Sequence, residues 1–112
     1  MISAIAAHEG RTVVTADITG AYVNADMKKQ THMRLEPKLS ELLAAMEPTY
    51  LPYISNDGCL VLTLEKALYG CVESARLWYD NISGLLKSIG FRQNSRERCV
   101  YNDIVQGVQV TV

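Results

Sequence analysis

A chain of 112 residues holds at most one domain, and 48% hydrophobic against 21% charged residues is the balance of a folded protein. That composition excludes disorder, collagen-like repeats and low-complexity sequence. A net charge of −1 gives no global basic field, so any nucleic-acid role must rest on local sites or on a larger protein.

Residues 2–9 read as the end of a helix that Gly10 stops. Residues 12–17, "TVVTAD", read as a β-branched strand with Asp17 at its end. A small-residue turn follows through Thr19, Gly20 and Ala21 to Tyr22, and residues 19–25 are expected to make one or two helical turns. In "THMRLE", 31–36, Met33 and Leu35 alternate with polar neighbours, which predicts a short strand. "PKLSELLAAMEP", 37–48, places Leu39, Leu42, Leu43 and Met46 on one helical face between two prolines. Residues 49–58 read as a turn-rich loop, with Asn56-Asp57-Gly58 as its strongest turn signal, and 48–58 is the one plausible linker.

"CLVLTLE", 59–65, predicts another strand and "ALYG" a tight connection. The clearest helix is "ESARLWYDNISGLLKSIG", 73–90, with Trp78, Ile82, Leu85, Leu86 and Ile89 as its apolar stripe and Gly90 as its stop. Tyr69 and Tyr79 are expected to be core aromatics. "RCVYND" and "GVQVTV" read as two strands around a turn. No internal repeat is present. The fold class is α+β, one partial domain over 1–112 with an incomplete antiparallel sheet packed on helices. The last strand ends at Val112 without a turn or cap, so a fragment with an exposed sheet edge is expected.

Residue content removes several chemistries. Three cysteines, Cys59, Cys71 and Cys99, are an odd number without C-x-x-C spacing, so neither a disulfide framework nor a zinc site is expected. Free thiols fit an intracellular, cytoplasmic compartment. The N-terminus lacks the basic start of a signal peptide, and no apolar run is long enough to span a membrane. The glycosylation triplet at Asn81 is read as helix surface. His8 and His32 have no partner at metal-ligand spacing. No nucleophile elbow, P-loop or dinucleotide fingerprint occurs.

Asp17 is the best chemical candidate. A carboxylate at a strand's end can hold a hard cation, with the backbone carbonyl of Ile18 as a further oxygen ligand. The small residues after it let a substrate come near the backbone. Spacing alone favours the other reading, in which Asp17 caps the short helix that follows. Asp26 reads as a loop carboxylate and Arg76 as a solvated surface charge.

Two blocks shift that balance. "TADITGAYVNADM", within 12–27, resembles motif A of copia-type retrotransposon reverse transcriptases, where an aspartate precedes a small residue, an aromatic and an asparagine. "LVLTLEKALYGCVESARLWYDNISGLLKSIGF", 60–91, resembles that family's motif B region, and "RERCVYND" the short strand after it. The likeness runs from about residue 4 to 112.

The resemblance implies the palm and lower fingers of a right-handed RNA-directed DNA polymerase. Asp17 would be the first of three metal-binding aspartates and the catalytic residue present. Two Mg2+ ions would serve nucleotidyl transfer of dNTPs to a primer 3′-hydroxyl. Asp17 and the Ile18 carbonyl would be metal ligands. Tyr22 would lie under the incoming sugar and exclude a 2′-hydroxyl, Gly70 would lie near the nascent base pair, and Tyr69 would line the pocket. The implied partners are an RNA or DNA template-primer, a dNTP and the rest of the retrotransposon polyprotein, with transposition as the setting.

The sequence departs from the family after Tyr69-Gly70. Cys71, Val72, Glu73, Ser74, Ala75 and Arg76 stand where Leu-Lys-Gln-Ala-Pro-Arg is common, so template contacts at 72, 73 and 75 are not carried over. The family's adjacent aspartate pair would follow "GVQVTV", so the chain reads as cut before that hairpin. Its triphosphate-binding basic residues would precede Met1. Asp57 and Asp103, each expected in a turn, are not substitutes. One carboxylate cannot balance two Mg2+ ions, so no polymerisation by the isolated chain is expected. The alternatives are a non-catalytic α+β remnant serving as an interaction module and, more weakly, a small-molecule metal enzyme built on Asp17.

Overall fold

A computed structural model describes residues 2–112. Helix α1, Ile2–His8, ends at Gly10, which takes the left-handed φ of +63° that stops a helix. The next segment departs from expectation: residues 11–18 form no strand. Two valines there, Val13 and Val14, are 65% and 83% exposed. β-Branched residues favour extended backbone, but a strand exists only when a neighbour takes up its N–H and C=O groups. Among the described residues nothing pairs with this one.

The predicted strand at 31–36 is the end of a longer one. Strand β1, Asp26–Leu35, pairs antiparallel with β2, Leu60–Lys66. Leu35 lies opposite Leu60 and His32 opposite Thr63, whose side chains meet at 3.2 Å. The register shifts between Asp26 and Thr31, a bulge that brings Asp26 opposite Lys66, where the two side chains form an ion pair. Leu60, at the end of this ribbon, is the one fully buried residue of the two strands.

Helix α2, Pro37–Met46, opens with proline at its first position, as expected, and a 3-10 helix, Pro48–Tyr53, occupies much of the predicted loop. The buried face of α2 is not the predicted one. Ser40 and Ala44 are buried, whereas Leu42 and Met46 are 58% and 76% exposed. Ser40 returns its hydroxyl to the carbonyls of Leu35 and Glu36, so a short side chain lets the helix start lie close to β1.

The turn before β2 is held by Asp57. Its carboxylate accepts hydrogen bonds from Ser55, from the Cys59 N–H at 3.2 Å and from Arg34 on β1 at 2.6 Å. The Ser55 hydroxyl first, then the Cys59 N–H and Arg34, hold this carboxyl well below the usual carboxylate range. A depressed folded-state pKa stabilises the fold above the unfolded value and is lost as pH falls toward the folded one. Acid unfolding followed by circular dichroism from pH 5 downward is therefore expected to shift in Asp57→Asn, with the variant's stability depending less on pH across that range.

Helix α3, Ser74–Ser88, is the predicted long helix, and Gly90 at φ +106° ends it. Its buried positions are Ser74, Leu77 and Ser83, while Leu85 and Ile89 of the expected stripe face solvent and Trp78 is half-buried. Leu77 joins Ala25 and Ala67 in the main apolar cluster, against which Tyr22 and Met27 pack. The second sheet has the order β3–β4–β5, from Arg92–Gln93, Tyr101–Val105 and Val108–Thr111. Strand β3 escaped prediction because two residues carry no periodicity. Gln106 and Gly107 both take positive φ, the tight hairpin turn that matches strand twist. Asp103 lies in β4 rather than in a turn.

The α+β class is as expected, but the sheet is two small antiparallel pieces. The chain extends 64 × 24 × 23 Å with a radius of gyration of 20.6 Å. A compact domain of this length would have a radius of roughly 13 Å. An elongated body has little interior, which is why so many large apolar side chains remain outside. No helix among the described residues is long and apolar enough to cross a membrane. The three cysteines are free, as the sequence suggests.

Candidate nucleotide site

Gly20 takes a φ of +63° and turns the chain from the unpaired segment into a 3-10 helix, Tyr22–Asn24. The cap of that helix is Ala21, with no side-chain hydrogen bond, so Asp17 caps nothing. The more conservative reading of Asp17 thereby loses its basis. Asp17 and Ile18 are both exposed on the approach to the turn.

The turn is held by three hydrogen bonds. Asn24 donates its amide to the Gly20 carbonyl at 3.0 Å, closing the loop on itself. Asn81 of α3 donates to the Asn24 carbonyl, also at 3.0 Å. A third bond, from the Ala67 N–H to the Ala25 carbonyl at 2.8 Å, fastens the exit of the turn to the end of β2. Asn81 is exposed on α3, as read from the sequence, and in addition ties that helix to the turn. Nothing in local spacing could link residues 24 and 81.

These ties set Tyr22 beside the connection after β2. Its ring stacks on Tyr69, with centroids 4.3 Å apart and planes 23° from parallel. Tyr69 is therefore not the expected core aromatic: it is 64% exposed, and its covered face rests on Tyr22. Tyr79 is half-buried, its hydroxyl donating to the Arg98 carbonyl. Gly70 takes a φ of +94°, and a Cβ built there meets no atom within 4 Å. It borders an open depression of about 340 Å³ formed with Met27, Thr31, Cys71 and Glu73. Ser74 holds this connection by donating to the Leu68 carbonyl at 2.6 Å. Tyr22, Tyr69 and Gly70, separated in sequence by nearly 50 residues, thus share one surface.

The reverse transcriptase (RNA-dependent DNA polymerase) family matches residues 1–111. The chain belongs to that family. It is 30% identical over 101 residues to the transposon Ty1-MR1 Gag-Pol polyprotein of Saccharomyces cerevisiae, across 89% of this chain and 5% of that protein. The truncated transposon Ty1-A Gag-Pol polyprotein of the same yeast is 29% identical over 92 residues, across 81% of this chain and 6% of its own length. The chain therefore spans about a twentieth of the length of these relatives. No solved structure matches it. The copia-type retrotransposon resemblance of the two sequence blocks is correct, and the blocks that carry it are those joined by the Tyr22–Tyr69 stack.

No group of three or more histidine, cysteine, aspartate or glutamate side chains among the described residues could hold an ion. Asp17 offers one carboxylate, and a two-ion Mg2+ site needs several oxygen ligands. The described reverse transcriptase residues do not by themselves fit that group. The ion-paired carboxylates near α3, Glu73 with Lys29 and Asp80 with Lys28 and Arg76, have surface partners.

Proposed function

We propose that this chain is the part of a retrotransposon polymerase's palm and lower fingers that receives the deoxynucleotide, in a family whose reaction extends a primer on an RNA or DNA template. The observation that carries this reading is the stack of Tyr22 on Tyr69 beside Gly70. It unites both sequence blocks in one flat aromatic surface next to an unobstructed backbone. Tyr22 serves as the floor for the incoming sugar, and its bulk excludes a 2′-hydroxyl. The Asn81–Asn24–Gly20 bonds hold that ring in place. Asp17 and the Ile18 carbonyl contribute to a Mg2+ site whose remaining ligands come from outside these residues. The rest of the polyprotein is accordingly a required partner, and the isolated chain extends no primer.

The test is a chimera in which residues 1–111 replace the matching stretch of the Ty1-MR1 polyprotein. Primer extension on an RNA template is the expected result. Tyr22→Ala in that chimera is expected to lower the preference for dNTPs over rNTPs by roughly tenfold or more, because the clash with the 2′-hydroxyl is gone. A folded chimera that extends no primer would favour a non-catalytic interaction module. Unchanged sugar selectivity in Tyr22→Ala would remove the floor role.

A further inference from the structure

Charge is unevenly satisfied over the molecule. Arg11, Lys28, Lys29, Arg34, Lys66 and Arg76 each pair with a carboxylate. The basic side chains without such a pair among the described residues are Lys38 and four others. Those four are Lys87, in the last turn of α3, and Arg92, Arg96 and Arg98 on the stretch that follows, all exposed. Glu97 is the one carboxylate within that stretch, in a chain of net charge −1.

The stretch is also held in shape. Asn94 accepts hydrogen bonds from the N–H groups of Arg96 and Glu97, at 2.9 and 3.1 Å. Glu97 turns its carboxylate to the Cys99 N–H at 3.3 Å instead of to an arginine. The Arg98 carbonyl accepts from Gln93 at 2.8 Å and from the Tyr79 hydroxyl at 3.2 Å, which fastens the loop to α3. Arginines on a fixed backbone lose less freedom on binding than arginines on a tail.

We infer that residues 87–98 form a phosphate-contacting surface for a nucleic-acid duplex, separate from the Tyr22–Tyr69–Gly70 surface. Unpaired cations on one surface attract the row of phosphate charges along a duplex, and the planar guanidinium adds paired N–H donors to phosphate oxygens. Arg92 borders a groove of about 420 Å³ with Gln93, Asn102, Asp103 and Gln109. Amides beside arginine suit sugar and phosphate oxygens better than lipid chains. Asp103 lies by the Gly90 turn, so the closest phosphates should lie toward Arg96 and Arg98. Helix α3, with 15 residues, is about 22 Å long and links the two surfaces. At 3.4 Å per step that is roughly six base pairs of duplex.

The choice of nucleic acid as the polyanion rests on the polymerase reading above; the binding measurement does not. The 112-residue chain is titrated onto a fluorescein-labelled DNA duplex of roughly 20 base pairs, by anisotropy, at about 50 and 200 mM salt. Four phosphate contacts predict a logarithmic salt slope near −3.6, which is about a hundredfold loss of affinity across that range. The triple variant R92Q/R96Q/R98Q is expected to bind at least about tenfold more weakly at low salt, with a slope reduced to about −1. K28Q/K29Q, which removes ion-paired lysines, is expected to bind within about twofold of the parent chain. The charge-conserving R92K/R96K/R98K is expected to keep most of the affinity and slope, which separates lost charge from lost fold. Four results overturn the inference: no salt-dependent binding by the parent chain, an unaffected glutamine triple variant, a lysine triple variant as weak as the glutamine one, or phosphatidylserine vesicles bound as tightly as the duplex. Duplex binding with these signatures beside a folded but inactive chimera would sink the polymerase reading and leave this surface standing.

Discussion

Asp17→Asn is expected to reduce primer extension by the Ty1 chimera by about a thousandfold or more, and to leave its melting temperature unchanged. The substitution keeps the size and hydrogen-bonding capacity of the side chain and removes its negative charge. A metal ligand depends on that charge, since neutral amide oxygen is a far weaker partner for a hard cation. A thousandfold corresponds to about 4 kcal/mol of lost transition-state stabilisation. A capping role predicts that both activity and melting temperature survive, because asparagine caps a helix start as well as aspartate does. The 3-10 helix at Tyr22–Asn24 takes no side-chain cap, and Asp17 is exposed, so no folded-state contact is lost with the charge. Steady-state extension separates these outcomes, and a thermal melt on the same preparation checks that the variant is folded. Activity within tenfold of the parent chimera would remove Asp17 from the metal site.

The same residue shows what sequence alone can and cannot supply. That an aspartate follows Val13 and Val14 is visible at once. That it serves no local structure is not, because the helix starts five residues further on and its cap, Ala21, makes no side-chain hydrogen bond. The two blocks gave the family through their residue types and order. They did not give the ties that hold the blocks together, since the Asn81 bond to Asn24 joins a helix surface to a turn across 57 positions. Tyr69 departs from the core position expected of it for a related reason. An aromatic after an apolar strand is usually core, yet here its partner is another ring at the surface.

Periodicity served some elements well and misled on others. Alternation around Met33 and Leu35 found part of β1, and Gly10 and Gly90 marked helix ends correctly. A run of β-branched residues at 12–17 met every local criterion for a strand, but strand formation is a property of pairs of segments. The helical stripes were placed on the large apolar residues. The structure instead buries Ser40 and Ala44 of α2, and Ser74 and Ser83 of α3, where short side chains allow close approach. Small residues leave no mark in a hydrophobicity pattern, so the face they define is invisible to it.

That difference sets the second large effect, on stability. Leu60→Ala is expected to destabilise the chain by about 2–5 kcal/mol, whereas Leu42→Ala should cost less than about 0.5 kcal/mol. Leu60 is 1% exposed at the end of the β1–β2 ribbon, opposite Leu35, and truncation there leaves a void that flanking backbone pairing cannot collapse to fill. Leu42 is 58% exposed, so truncation removes atoms already in water. Alanine also has the higher helix propensity, which offsets the little packing that Leu42 loses. If the amphipathic stripe of Leu39, Leu42, Leu43 and Met46 were the buried face of α2, Leu42→Ala would instead cost several kcal/mol. Urea titration of both variants, monitored by far-ultraviolet circular dichroism, distinguishes the two. An equal loss at the two positions would mean that the exposed face of α2 is covered in solution, and that the elongated form with its thin interior is not the dominant one.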